Sequence, residues 1–561
     1  MRPVVFDGCF GWLHPAQGTH GIVLCGPLGQ EANFVHRPWR ELARRLAAAG
    51  FPTLRFDYLG TGNSTGDAQD PGRVEAWLQS VNSAIGFLRR EAAIDRLTLV
   101  GFRFGATLAV ACAERLGDVD GLVLLAPVTS GRAYRRELSV LARLNQRGAS
   151  GTASDDLEAH GVPLAPETLA KLGEFEILQG GRRPVPRALI LTRTGAADQL
   201  ILAQRLKALG AEVQEGEFRD YSILRWHSDY TPYPTATFGQ VLEWLSPGAY
   251  PPANDALNGG ELPLPVSGVC DTAVVFGPSP GLFGVISQPL RPIASGASAL
   301  IFLSAGSTTQ VGNYRLWVST ARRLARAGYA SLRFDIAGVG DSPAGTTSGA
   351  PHGSRKQGLA NVKAALDWLE AQGFPRIILV AYCLSATLSR EVVASDPRVV
   401  AQLLINPSQP FGVKPTGRTP ARYISLACEL RTWRRLLGGA IPPAKMLRGA
   451  RDLARGVRMG IEKRILGRYA RAHTTAASAR TLAAQGVDTL LIVGEDDSCV
   501  ERLEEYFATD RDRLAELLNV RICPLRGVGH DFPRRSDRDL LAGAILEYLQ
   551  YAPHLQSEPR R

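Results

Sequence analysis

Arg103 and Cys383 occupy the same place in a repeated pattern, and only one of the two side chains could attack a carbonyl carbon. The segment FPTLRFDYLGTGNS, beginning at Phe51, recurs 278 residues later as YASLRFDIAGVGDS, beginning at Tyr329. Each is followed by an apolar stretch ending in a turn of the form small-x-X-x-small, GFRFGATLA around Arg103 and AYCLSATLS around Cys383. A thiol at X becomes a nucleophile once a nearby base takes its proton, whereas a guanidinium stays protonated at working pH and cannot attack. One copy reads as armed. The other reads as spent, with Arg103 either a relic or a planar fork for a carboxylate or phosphate.

The elements that must hold these positions alternate along the chain. In the first copy, apolar strand material at 4–6 and 21–25 precedes helical spacing over 39–49 that stops at Gly50. A strand at 52–56, a helix near 74–90 and a strand at 97–100 lead into the turn, and strands at 121–125 and 188–192 and a helix at 238–245 complete the copy. The order repeats from about Cys270 to Tyr551. Short buried strands alternating with amphipathic helices predict an α/β fold, with two tandem domains that are each a mainly parallel sheet flanked by helices. The expected boundaries are 1–248, a Pro/Gly-rich linker at 249–266, and 267–555. Asp57 and Asp335, in the repeated R-F-D turn, read as structural acids that tie the loop after the strand.

A length of 561 residues with 45% hydrophobic and 21% charged composition allows two to four domains, and the repeat sets the number at two. Eight cysteines without a C-x-x-C pair suggest neither a disulfide framework nor a zinc site, which favours a reducing, cytoplasmic setting. Neither a signal peptide nor a membrane span is expected, because no basic start leads into an apolar run and no 18 consecutive residues are apolar. No cofactor or metal is expected. The net charge of +11 points to an acidic partner.

This order of elements, with a tight turn between strand and helix, resembles the α/β-hydrolase superfamily, where X is the nucleophile of a strained elbow. In that family an acid at a later strand end and a His before the last helix follow the nucleophile. The resemblance implies that Cys383 is the nucleophile, that Asp497 in LLIVGEDDSCV is the acid, with Asp496 as its rival, and that His530 in RGVGHDF is the base. It also implies oxyanion donors at the N–H of Leu384 and in the loop SAGSTT, at Gly306 or Ser307. In the first copy Asp198, in LTRTGAADQL, and His227, in LRWHSDY, stand at the corresponding places beside Arg103. The two R-F-D segments resemble serine aminopeptidase-like hydrolases, including those of exopolysaccharide and exosortase systems. AYCLSATLS resembles the GYCLGG elbow of dienelactone hydrolases, with Ala381 and Ser385 replacing glycines. Insertions at 129–186 and 408–485 are expected to form caps above the pockets.

The second cap concentrates the charge: from Lys414 to Arg480 there are sixteen Lys or Arg and three acids, a surplus exceeding that of the whole chain. Within it Leu453, Val457, Ile461 and Ile465 make an apolar stripe on a helix whose other faces are basic, and four interspersed glycines suggest a mobile lid. The expected function is attack on an ester or thioester by a Cys-His-Asp triad, with the acyl group passed to water or another acceptor. Coenzyme A or an acidic carrier protein would present the acyl group, and the basic cap could also rest on an anionic membrane at its inner face. Nucleic acid is not expected, because the basic run lacks interleaved aromatics. The alternative is a non-catalytic binding or scaffold protein of a surface-polysaccharide or lipid pathway.

Overall fold

The computed structural model describes residues 1–145, 157–159, 162–179, 181–225, 233–246, 257–294, 296–306, 308–344, 355–408, 487–500, 503 and 519–552. The first half runs β1 (Arg2–Phe6), β2 (Cys9–His14), β3 (His20–Cys25), α1 (Gln30–Ala48), β4 (Thr53–Phe56), α2 (Arg73–Glu91), β5 (Arg96–Phe102), α3 (Phe104–Leu116), β6 (Gly121–Leu125) and α4 (Gly131–Asn145). A small antiparallel hairpin, β7 (Leu157–Ala159) and β8 (Val162–Leu164), precedes α5 (Pro166–Gly173), β9 (Arg187–Thr192), α6 (Ala197–Ala208), β10 (Glu212–Glu217) and α7 (Thr235–Leu245). The second half runs β11 (Leu262–Leu264), β12 (Cys270–Phe276), β13 (Leu282–Gln288), β14 (Ser298–Leu303), α8 (Leu316–Arg326), β15 (Ala330–Phe334), α9 (Arg355–Ala371), β16 (Arg376–Tyr382), α10 (Ser385–Val393), β17 (Val399–Ile405), β18 (Asp488–Gly494), β19 (Val520–Leu525) and α11 (Arg535–Tyr551).

Each half builds one large sheet. The strand orders are β1-β2-β4-β3-β5-β6-β9-β10 and β11-β12-β13-β15-β14-β16-β17-β18-β19, antiparallel at the N-terminal edge and parallel elsewhere. The central strands, such as RLTLVGF and RIILVAY, are apolar along most of their length because helices cover both faces of the sheet, which leaves no solvent side for alternation. Crossover helices return the chain so that the parallel strands point the same way, and the turns carrying Arg103 and Cys383 emerge at their C-terminal ends.

The two sheets are joined through a shared core. Phe10, Trp12, Leu257, Leu264, Phe283 and Val285 form one buried cluster drawn from both halves, with Phe10 stacked on Phe283 at 5.7 Å between centroids. The segment expected as a linker at 249–266 is thus partly structural: Leu262–Leu264 is a strand paired with β12, and Leu257 and Leu264 are buried.

Around this cluster the two R-F-D turns clasp one another. Within each turn the aspartate closes its own loop, Asp57 accepting from the N–H of Asn63 at 2.8 Å and Asp335 from those of Asp341 at 2.8 Å and Gln310 at 2.6 Å. The arginine of each motif reaches across to the other half. Arg55 donates to Asp341 at 2.6 Å, and Arg333 donates to Asn63, the residue at the matching place in the first turn, at 2.5 Å. Arg315 adds bonds to the carbonyls of Gly60, Gly62, Ser64 and Gly66, and Arg40 to those of Gly340 and Ser342.

Asp341 is nearly enclosed and also accepts from the Trp12 indole at 3.0 Å. Burial opposes its charge, but Arg55 and His36 outweigh burial and hold the carboxyl far below the usual carboxylate range. Removing one side of a buried pair strands the other, at a cost of about 3–5 kcal/mol. Arg55→Ala is therefore expected to lower the urea midpoint markedly. Asp341→Asn keeps the hydrogen-bond acceptor but leaves the buried Arg55 guanidinium without this countercharge, so it should lower the midpoint comparably; an unchanged midpoint in either variant would contradict this account.

Candidate active site

The elbow geometry is common to both halves. Arg103 has φ 55° and Cys383 φ 58°, left-handed values that a non-glycine residue adopts only when its surroundings enforce them. In the first half a Cβ on Gly101 would lie 2.3 Å from the Ala106 Cα, and one on Gly105 would lie 2.2 Å from the Gly26 carbonyl oxygen, so those positions are restricted to glycine. In the second half Ala381 is buried, and the Ser385 hydroxyl accepts from the Tyr382 N–H at 2.9 Å while donating to the Leu303 carbonyl at 2.8 Å. The hydroxyl thereby turns a crowded contact into a hydrogen-bonded one.

The second half gathers a thiol, an imidazole and a carboxylate. Asp497 follows β18 in a turn closed by its own N–H on the Gly494 carbonyl, and its side chain is 1% exposed. One carboxylate oxygen accepts from the Cys499 N–H at 2.5 Å and the other contacts His530 Nδ1. Its neighbour Asp496 is exposed. The acid turn and the His loop are pinned backbone to backbone, the Asp496 N–H donating to the Val528 carbonyl at 3.1 Å. A Cβ on Gly494 would sit 2.3 Å from that same carbonyl oxygen, so glycine is needed there.

Cys383 lies close enough to His530 to act on its protonation, and with Nδ1 engaged by Asp497 the ring's Nε2 is the atom left for sulfur. Asp497 first, then Cys383, raise the His530 pKa to about 10 against the opposing effect of burial. Leu384, immediately after the nucleophile position, is 55% exposed, and Gly306 lies in a left-handed turn after β14. Ser307 lies outside the described residues, as does the second cap segment beyond Ser408.

The first half is arranged differently. Arg103 does not extend into solvent: its side chain is 3% exposed, with Nε donating to Glu31 at 3.0 Å and Nη2 to both oxygens of Glu137 at 2.7 Å. Burial disfavours its charge, but Glu31 and Glu137 more than offset this and hold it firmly protonated. A fork already occupied by two internal carboxylates is not open to an external anion, which corrects that expectation.

The placement of Asp198 also needs correction. The N–H of Asn406 donates to the Ile492 carbonyl and that of Ala126 to the Leu191 carbonyl, which sets the register between the halves. The turn bond from Asp497 to Gly494 is matched by one from Ala196 to Arg193, so alanine stands where Asp497 does. Asp198 lies two residues on, in the first turn of α6, accepting from the Thr129 hydroxyl at 2.6 Å. His227 lies outside the described residues. A cavity of about 580 Å³ borders Arg103, Tyr134 and Trp77 and continues to Arg55 and Asp341 at the junction of the halves; Cys383 does not line it.

Among the described residues no cluster of His, Cys, Asp or Glu could hold a metal ion, and no helix is long and apolar enough to cross a membrane. The seven cysteines described are free thiols.

Residues 22–174 match the family model described as serine aminopeptidase, S33, and residues 296–544 match that of the alpha/beta hydrolase family. Similar solved structures include an esterase from Pyrococcus furiosus, 15% identical over 50% of this chain and 89% of that one, with a TM-score of 0.31. An alpha-beta serine hydrolase homologue from Coxiella burnetii is 15% identical over 49% of this chain and 96% of that one, with a TM-score of 0.31. An alpha/beta hydrolase from Penicillium sp. is 16% identical over 51% of this chain and 97% of that one, with a TM-score of 0.31. With two family matches in succession and two mainly parallel sheets flanked by helices, the chain belongs to the α/β-hydrolases as a tandem pair of such domains.

Proposed function

We propose that the second domain breaks an ester or thioester through Cys383, His530 and Asp497, while the first domain serves as its non-catalytic partner. The observation that carries this reading is His530 held between the thiol and a buried carboxylate. The Cys383 proton rests on His530 Nε2, leaving a thiolate beside an imidazolium, and the sulfur forms a bond to the carbonyl carbon. The resulting oxyanion is met by the N–H of Leu384 and by a donor from the Gly306–Ser307 loop. As the tetrahedral centre collapses, the carbon–oxygen or carbon–sulfur bond of the leaving group breaks, and that group takes the proton from His530. The thioester left on Cys383 is then opened by water or another acceptor, whose proton returns to His530.

Asp497 stabilises the imidazolium in this cycle, and a pKa raised to about 10 keeps it available to protonate the leaving group through neutral pH. The sixteen basic residues between 414 and 480 favour an anionic acyl donor, coenzyme A or an acidic carrier protein, and peripheral contact with an anionic membrane surface in the cytoplasm.

The decisive measurement is intact mass after incubation with a panel of acyl thioesters. The wild type is expected to gain one acyl adduct at Cys383, and Cys383→Ser or His530→Ala should lower its rate of formation by about 100-fold or more; undiminished acylation in both variants would exclude the triad. Arg103→Cys should gain no second adduct, because Ala196 supplies no carboxylate to orient a base there.

Stability should also depend on His530. A folded-state pKa raised above the ordinary 6.5 gives stabilisation that is complete below pH 6.5 and lost as pH rises through about 10. His530→Gln is therefore expected to flatten the alkaline loss of stability seen by thermal unfolding, and by a modest amount, because the side chain is 38% exposed. Identical alkaline profiles would show that the imidazolium contributes nothing to folding.

A further inference from the structure

The carbonyl oxygen of His530 accepts two side-chain hydrogen bonds. The Tyr382 hydroxyl, one residue before the nucleophile, donates to it at 2.7 Å, and the Asn406 amide donates at 3.0 Å. The Tyr382 ring also packs beside the imidazole, with centroids 5.5 Å apart. Asn406 is fully buried at the end of β17. Its amide orientation is fixed on both sides, because its oxygen accepts from the Gly494 N–H at 2.8 Å while its nitrogen serves the carbonyls of Gly529 and His530. One side chain thus joins the strand that leads to Asp497 to the loop that carries His530.

The first domain provides an internal comparison. Tyr382 corresponds to Phe102, each being the residue before its elbow. Asn406 corresponds to Ala126: both have left-handed φ, 41° and 44°, and both donate their N–H to the carbonyl of the neighbouring strand at 2.9 Å. Both polar groups are therefore absent from the half whose elbow carries arginine, and the backbone forms the same turns without them. The fold does not require this hydroxyl and this amide.

We infer that Tyr382 and Asn406 are positioning residues that hold His530 between Cys383 and Asp497 by clamping its backbone carbonyl. The inference rests on the triad reading above. Neither side chain reaches a reacting atom. Each acts by fixing the loop, and a misplacement of the base by even about 1 Å can cost about 100-fold in rate.

The test compares full-length Tyr382→Phe, Asn406→Ala and the double variant with wild type and His530→Ala, measuring acylation by the best thioester across pH. Tyr382→Phe is the milder change, since Phe102 shows that the elbow accepts a phenylalanine. It is expected to slow acylation about 5- to 10-fold, and the double variant more. The alkaline limb set by His530, near pH 10 in the wild type, should move down towards 6.5 as its contacts with Asp497 and Cys383 loosen. If Tyr382→Phe and Asn406→Ala keep the wild-type rate and limb while His530→Ala is inactive, the clamp is wrong and the triad stands. The clamp is equally wrong if the variants melt earlier but keep the limb unmoved. If His530→Ala itself acylates like wild type, the triad fails and the clamp with it.

Discussion

The strained turn between a parallel strand and its following helix is the constraint around which both halves are organised. It fixes the backbone at residue 103 and residue 383 within a few degrees of the same left-handed φ, although the side chains share no chemistry. The turn can do this because it is defined by close contacts of neighbouring backbone, with glycine, alanine or hydrogen-bonded serine beside it. The architecture therefore supplies the same turn regardless of what stands on it. In the second half the turn carries sulfur beside an imidazole, and in the first it carries a guanidinium drawn down onto two glutamates.

How much of this was legible in the sequence varied with the physical signal. The elbows, the central strands and the crossover helices are written in small-residue spacing and in apolar runs, and the structure has them. β10 was missed because EVQEGE is an edge strand, mostly exposed on its sides, with no apolar run to mark it. β2 was missed for the opposite reason: CFGWLH is buried on both faces, Cys9 and Leu13 in the first half's core and Phe10 and Trp12 in the cluster shared with the second half, so it shows no alternation. The acid of the first site was misplaced because a carboxylate does occur at the right distance along the chain. Only the backbone register shows that Ala196 takes the acid position and that Asp198 has entered the next helix.

The R-F-D repeat carried more than its sequence revealed. Two identical motifs suggested identical local roles, and the aspartates do have them, each closing its own loop. The arginines have a role that only the pairing of the halves creates, each crossing to the other's turn at the position occupied by Asn63 or Asp341. The contact is thus nearly two-fold symmetric. One departure from symmetry is a charge: Asp341 forms an ion pair with Arg55, whereas Asn63 meets Arg333, which has its countercharge in Asp271 of its own half. A reciprocal contact of this kind is what two like chains form about a two-fold axis.

The first half differs from the second at several linked positions. Replacing a nucleophile by arginine would by itself leave an acid, a base and their supports in place. Instead alanine stands at the acid position, and the hydroxyl and amide that meet the His530 carbonyl are phenylalanine and alanine. Each of these groups is useful only in the presence of the others, since a carboxylate with no imidazole to orient, or a clamp with no base to hold, adds a buried polar group without a task. The turn from Arg55 to Ser64, by contrast, offers backbone carbonyls and side chains that receive Arg315, Arg322 and Arg333 from the second half. These contacts tie the first half to β15 and α8 of the second half, and β15 pairs with β14, the neighbour of the strand that leads to the Cys383 elbow.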